Sequence, residues 1–196
     1  MNRTLGMVCA RAGSKRLPGK NMLEYEGKPL TVRAYKTLED AGCKFVICVT
    51  DIPDTGLKNV LHRPDYMSTD HTPLQTTIKW ALRQLDQTGY VTRNFDTVAH
   101  LIPTNPFIKK THIPFMVQKI RDEGLKIVRS YDMNSVENGL IVANLDYILN
   151  HWIDVYCGAV FTEGKEIHTQ EDYDELCEHE GIEALEWPVE GTTSES

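Results

Sequence analysis

Long apolar runs are missing from this 196-residue sequence: nothing approaches the roughly 20 consecutive apolar residues that span a bilayer. The opening residues also lack the apolar stretch of a secretory signal. Cysteine is scarce. Its five residues, Cys9, Cys43, Cys48, Cys157 and Cys177, are odd in number and show no close paired spacing, which argues against a zinc knuckle or a disulfide framework and for reduced, buried thiols. No internal period recurs, and no low-complexity segment precedes the final residues VEGTTSES. Positive charge is in deficit. With 21 Lys and Arg against 28 Asp and Glu, the formal charge is −7 and the sequence pI is near 5.5, so the chain as a whole repels nucleic acid and anionic membrane surfaces. These absences point to a cytoplasmic protein whose partners are small molecules. The apolar content of 41% is sufficient for a real core.

Against the acidic background, residues 5 to 21, LGMVCARAGSKRLPGKN, carry a concentrated exception. Leu5 to Cys9 reads as a buried first strand, closed by abrupt turn chemistry. The loop after it holds Arg11, Lys15, Arg16 and Lys20, interleaved with Gly13, Ser14 and Gly19, and contains no acidic residue. Open α/β sheets bind ligands at the carboxyl ends of their strands. Glycines let backbone N–H groups turn around an oxyanion while Arg and Lys neutralise it from the sides. The implied ligand is a polyphosphate. A solvated basic loop is the plainer reading; the preceding strand, the two glycines and the acidic remainder favour the phosphate.

Along the rest of the chain, PLTVRAYKTLEDA (29 to 41) reads as a helix opened by proline and ended before Gly42. Phe45 to Val49 is a second strand, whose end brings Asp51 either to a ligand crevice or simply to a polar terminus. A short helix is expected within 52 to 61. His62 to Thr72 is a polar loop in which Arg63 can clamp a phosphate or carboxylate, and Asp70 can orient that arginine, accept from a ribose or, like Thr72, cap the helix at 73 to 88. Trp80 in that helix reads as packing or interface. Thr97 to Ile102 is a third strand closed by the proline-stiffened PTNPFI. Thr111 is expected to cap a helix bearing Ile113, Met116, Val117 and Ile120. Leu125 to Val128 and Leu140 to Val142 read as further strands, Asn144 to Asn150 as a short helix, and Val155 to Phe161 as an edge strand or a hairpin around Gly158. A last helix begins near Thr169, with Asp172 as a loose capping-box acid. Strands alternating with helices predict one three-layer α/β domain with a mostly parallel sheet over residues 1 to 188, followed by a disordered tail at 189 to 196.

ARAGSKRLPGKN, Ala10 to Asn21, closely resembles the phosphate-binding signature of the sialic-acid-type cytidylyltransferases, which activate acylneuraminate, legionaminate and 3-deoxy-manno-octulosonate sugars as CMP conjugates. KPLTVRAYKTLEDAG, VICVTD, RPDYMSTDHT, LIPTNPFI, NGLIVANLDYI and EIHTQEDYDEL follow in the family's order, so the resemblance covers roughly residues 5 to 178. It implies a Rossmann-like nucleotidyltransferase fold, CTP as co-substrate, Mg²⁺ as cofactor and pyrophosphate as leaving group. By the same resemblance Arg11 and Lys20 contact the triphosphate, while Ala10, Ala12, Gly13 and Ser14 belong to the loop wrapping it. Asn21 would lie near the nucleotide sugar or base edge, and Arg63 and Asp70 between nucleotide and acceptor.

The departures from the family pattern bear on the acceptor and the metal. Ile102 and Ile108 stand where the family has glutamine and arginine, and Glu166 and His168 stand for two metal-binding aspartates. Glutamate suits Mg²⁺, whereas imidazole suits it poorly. His168 therefore has three readings: a group behind the ligands, a proton acceptor or a surface histidine. Only Tyr131 to Glu137 occupies the place of the family's dimer-forming insert, so the usual intertwined dimer is not expected. Two other functions fit the same residues: guanylyl or uridylyl transfer to a sugar phosphate or cofactor, and nucleotide binding without catalysis.

Overall fold

In the computed structural model, residues 3–134, 136–151, 157–162, 164 and 166–180 are described. The expected tail at 189 to 196, Trp152 and Trp187 lie outside them.

The first strand, β1 (Thr4–Ala10), is followed by the basic loop, a 3₁₀ turn at Lys20–Met22 and a small hairpin of β2 (Glu24–Tyr25) and β3 (Lys28–Pro29). Helix α1 (Leu30–Asp40) then leads to β4 (Phe45–Thr50) and β5 (Val60–His62). After a 3₁₀ turn at Asp65–Met67 come α2 (Leu74–Leu85), α3 (Tyr90–Asn94), β6 (Thr97–Leu101) and α4 (His112–Glu123). The chain continues through β7 (Ile127–Tyr131), β8 (Glu137–Asn144), α5 (Leu145–Asn150), β9 (Cys157–Phe161) and α6 (Gln170–Glu180).

One seven-stranded sheet runs in the order β5-β4-β1-β6-β8-β7-β9. β1 lies parallel to both β4 and β6, with Ala10 opposite Thr50 and Val8 opposite Leu101. Strands covered on both faces read as continuous apolar runs, which is why β1 and β6 are buried almost throughout. One face carries α1 and α4 through Tyr35, Leu38, Ile113, Met116 and Val117. The other carries α2, α3 and α5 through Ile78, Leu82, Val91 and Ile148. The three-layer α/β expectation therefore holds.

β8 runs antiparallel to both β6 and β7 and breaks the parallel run. The tight turn that joins β7 to β8 dictates this: Asp132 Oδ1 accepts the amides of Asn134 and Val136 at 2.9 Å each. Strand β9 is parallel to β7, and Gly158 sits inside it opposite Val128, so the hairpin alternative for this segment is discarded.

Several local expectations are corrected. No helix forms within 52 to 61. Thr50, Asp54 and Thr55 side chains accept the amides of Ile52, Gly56 and Leu57, a competition that favours turns over helix, and Val60–His62 pairs with β4 instead. Helix α3 was not foreseen; it starts after left-handed Gly89 and is held by Asp86, whose carboxylate accepts from the Thr92 amide and hydroxyl. Pro73 occupies the N-cap of α2, so neither Asp70 nor Thr72 caps it, and the Thr111 hydroxyl makes no cap bond to α4. At α6 the capping box is complete: the Thr169 amide donates to Asp172 Oδ2 and the Asp172 amide to Thr169 Oγ1.

Candidate active site

β4 and β5 lie to one side of β1 and β6 to the other, so the chain changes direction across the sheet between β1 and β6. A crevice opens at such a point, outside the strands' carboxyl ends. Cys9 in β1, Arg11 just after it, Arg63 just after β5 and Ile102 just after β6 all line it. An inner lobe of about 200 Å³ is bounded further by Lys20, Asn21, Asp70, Thr104 and Glu166. An outer lobe of about 500 Å³ is bounded by Gly13, Ser14, Lys15, Ser68 and His71. Arg11, Thr69 and Asp70 line both.

The basic loop is fixed at each end. Left-handed Gly19 turns the chain into the 3₁₀ turn, and buried Leu17 anchors the loop among Leu23, Tyr25, Ile167, Tyr173 and Leu176. Helix α6 thus buttresses the loop from outside the sheet, and the Tyr173 hydroxyl donates to the Glu24 carbonyl at 2.6 Å. Asn21 is buried; its Nδ2 donates to the Arg11 carbonyl at 2.8 Å, and its own carbonyl accepts the Thr31 hydroxyl. That bond holds the Arg11 backbone in place, and Asn21 also lines the inner lobe.

Asp51 is the hub of the far side. Its Oδ1 accepts the Ala12 amide at 3.0 Å and Arg63 Nη2 at 3.1 Å. The expected pairing of Arg63 with Asp70 is corrected: Asp51, next to it across the β4–β5 ladder, takes that place, and Asp70 pairs with Arg11 and with Lys15, the latter at 2.9 Å. Arg63 is almost fully buried, and its Nε has no hydrogen-bond partner among the described residues. The Ala12 amide is committed to Asp51, and Ala10 is a buried strand residue, so Gly13 and Ser14 are the members of that wrap that face the cleft.

Opposite the loop, Glu166 is held by the Thr104 hydroxyl, which donates to Oε1 at 2.8 Å, while the Ile167 amide donates to the Thr104 carbonyl. Lys20 Nζ reaches across to the Ile167 carbonyl at 3.3 Å. His168 Nε2 stands 3.7 Å from Glu166 Oε2. Behind them a buried chain runs from Asn105 Nδ2 to the Asn138 carbonyl and from Asn138 Nδ2 to Thr162 Oγ1, both at 2.7 Å. Ile102 forms an apolar wall of the inner lobe, whereas Ile108 is a core residue away from it. Only one of the two expected apolar replacements therefore meets the cleft.

The charges respond to this arrangement. Burial lowers the Lys20 pKa, with Arg16 and Arg11 adding to the effect and Glu166 opposing it. Lys15 and then Arg11 hold the Asp70 carboxyl below its ordinary range. Burial pushes the Cys9 thiol up to about 12, so it is protonated at neutral pH and unsuited to attack. Asp51 and Thr104 escaped sequence reasoning as organisers; the available signals were a polar residue closing β4 and a threonine in the proline-stiffened loop after β6.

A family model described as cytidylyltransferase matches residues 5–151. The chain is 32% identical over 128 residues to a 3-deoxy-manno-octulosonate cytidylyltransferase of Nitrobacter winogradskyi, covering 64% of this chain and 49% of that protein. It is also 32% identical over 134 residues to a CMP-N,N'-diacetyllegionaminic acid synthase of Legionella pneumophila, covering 64% and 56%. The chain thus spans about half the length of the curated relatives it matches. Among solved structures, a CMP:2-keto-3-deoxy-manno-octonic acid synthetase complexed with CTP superposes with a TM-score of 0.72 at 15% identity, covering 91% of this chain and 98% of that one. A cytidylyltransferase from Leptospira borgpetersenii gives 0.63 at 16%, covering 89% and 84%. These structures share the nucleotidyltransferase fold. With the family model matching from β1 through α5, the chain belongs to the cytidylyltransferase family.

Proposed function

We propose that this chain transfers CMP from CTP to a sugar acid and releases pyrophosphate. The observation that carries this reading is the convergence of Arg11, Lys20 and Arg63 on one cleft at the strand ends, with Glu166 on the facing wall. An acceptor hydroxyl oxygen attacks the α-phosphorus and gives its proton to water; the new P–O bond forms as the bond to the bridging β-phosphate oxygen breaks, and that electron pair leaves with pyrophosphate. Arg11, Lys20 and the Gly13–Ser14 backbone stabilise that growing charge, the dominant contribution when little covalent chemistry falls to the protein. Asp51 keeps Arg63 aimed at the cleft, and Asn21 keeps Arg11 in place. The sugar-acid acceptor is supported by the names of the curated relatives.

Among the described residues, no three of His, Cys, Asp or Glu cluster to hold a metal by themselves. A single carboxylate beside a phosphate channel nonetheless fits Mg²⁺, which takes one or two carboxylates and completes its octahedron with phosphate oxygens and water. Glu166, oriented by Thr104, would hold it. His168, an imidazole, is poorly matched to that hard ion. When bound, Mg²⁺ neutralises phosphate charge and polarises the phosphoryl group.

Pyrophosphate release measured with CTP, GTP and UTP against 3-deoxy-manno-octulosonate and legionaminate tests the reading. CTP-dependent release with a sugar acid is expected. Arg11→Ala and Lys20→Ala, folded by circular dichroism, should lose about 100-fold or more in kcat/KM. Undiminished release in both variants contradicts the assignment, and calorimetric CTP binding with no turnover on any acceptor reduces the chain to a binding module.

A further inference from the structure

Asp70 places a negative charge where the proposed ligand's charge belongs. Its carboxylate bonds both Arg11 Nη1 and Lys15 Nζ, two cations of the loop. The bridge also sits where the two lobes meet, because Arg11 and Asp70, with Thr69, line both. The inner lobe alone, at about 200 Å³, falls short of the roughly 300–1,000 Å³ of small-molecule sites. It is too small to seat a nucleotide and an acceptor together.

We propose that Asp70 is an internal placeholder for the nucleotide's phosphates: its carboxylate holds Arg11 and Lys15 until a polyphosphate displaces it, and its departure joins the two lobes into one cleft. This rests on the nucleotidyl-transfer reading above. The exchange is electrostatically cheap. The Lys15 side chain is 80% exposed, and those of Arg11 and Asp70 are 31% and 28% exposed, so water reaches both pairs and screens the Lys15 pair most, and ion pairs in contact with solvent hold weakly. A polyphosphate brings several charges to the same cations where the carboxylate brings one.

The segment bearing Asp70 is also lightly tethered. Between the 3₁₀ turn and α2 its bonds among the described residues, the Asp70 pairs apart, are local: the Ser68 amide to the Asp65 carbonyl at 2.9 Å, the Thr72 amide to the Thr69 carbonyl at 3.2 Å, a Thr69–Thr72 hydroxyl contact at 2.9 Å, and the Thr72 and Ser68 hydroxyls to the Tyr66 and Pro64 carbonyls at 3.4 and 3.3 Å. Bonds that stay within residues 64–72 and, like the Thr69 and Thr72 hydroxyl contacts, face solvent mark a segment that can open locally. Nucleotide would therefore bind first, and room for the acceptor would follow from the displaced carboxylate.

Calorimetric titration of the full chain with CTP, and separately with sodium tripolyphosphate, in EDTA, tests this on wild type and Asp70→Asn. The variant keeps the shape of the residue and removes its charge. About fivefold tighter binding of both ligands is expected, the equivalent of two weak, water-screened ion pairs released together. Amide exchange across 68–72 should quicken when wild type binds either ligand. Unchanged or weaker binding by Asp70→Asn, or unchanged exchange in that segment, overturns the placeholder role and leaves the transfer reading standing. Binding of neither ligand by wild type and by Asp70→Asn, in EDTA and again with Mg²⁺ in its place, overturns both.

Discussion

At the scale of single residues, charge and burial decide behaviour more than identity does. His100 lies in the middle of β6, opposite Met7 and Ile141, and neither ring nitrogen has a hydrogen-bond partner among the described residues. Burial lowers its pKa from 6.5 to about 4. The unfolded chain therefore takes up the proton first as the pH falls, and stability drains away between about pH 6.5 and 4, by about 3 kcal/mol from this residue. Urea midpoints measured at pH 7 and pH 4.5 should show that drop in wild type and a flatter profile in His100→Leu; equal slopes would contradict it. His100 could not be singled out from sequence, because one polar letter in VAHL does not reveal its burial. The basic loop could be, since four cations without an acid signal a ligand from composition alone. Asp51 falls between these cases: its position at a strand end was visible, but its bond to Ala12, 39 residues away, is made only by the fold.

At the scale of elements, the joints between strands carry the information that periodicity lacks. The β1, β4 and β6 strands and the α1, α2 and α4 helices follow directly from apolar spacing. The reversal of β8 does not, because direction depends on the Asp132 turn and on pairing with β6. The helix expected within 52 to 61 failed through side-chain competition for its own amides. Gly139 marks where β8 closes on the cleft wall. Its φ is +94°, and an added Cβ would come to 2.0 Å from Ile102 Cδ1. Gly139→Ala should cost about 2 kcal/mol or more, through the clash and the left-handed backbone together. Adding Ile102→Ala should return only the steric part. A double-mutant cycle in urea measures this, and full additivity would show that the two positions do not touch.

At the scale of the whole molecule, the order of strands places the candidate site, and the arm that ends in α6 closes its far wall. β1 supplies the loop, β4 and β5 supply Asp51 and Arg63, β6 supplies the Ile102 wall, and α6 packs the arm bearing Glu166 against Leu17 and Leu23. Family membership rests on residues 5–151, whereas Glu166 lies beyond them and is tied back through Thr104 and Lys20. The sequence order of motifs revealed the core of this plan; the tie between arm and loop, spanning the chain's length, was visible only once folded. The most direct measurement is a crystal structure of the chain grown with CTP and Mg²⁺. The expected result is a triphosphate against Arg11 and Lys20, with Asp70 withdrawn from Arg11 and Lys15; nucleotide bound elsewhere, with the Asp70 pairs intact, would contradict the account.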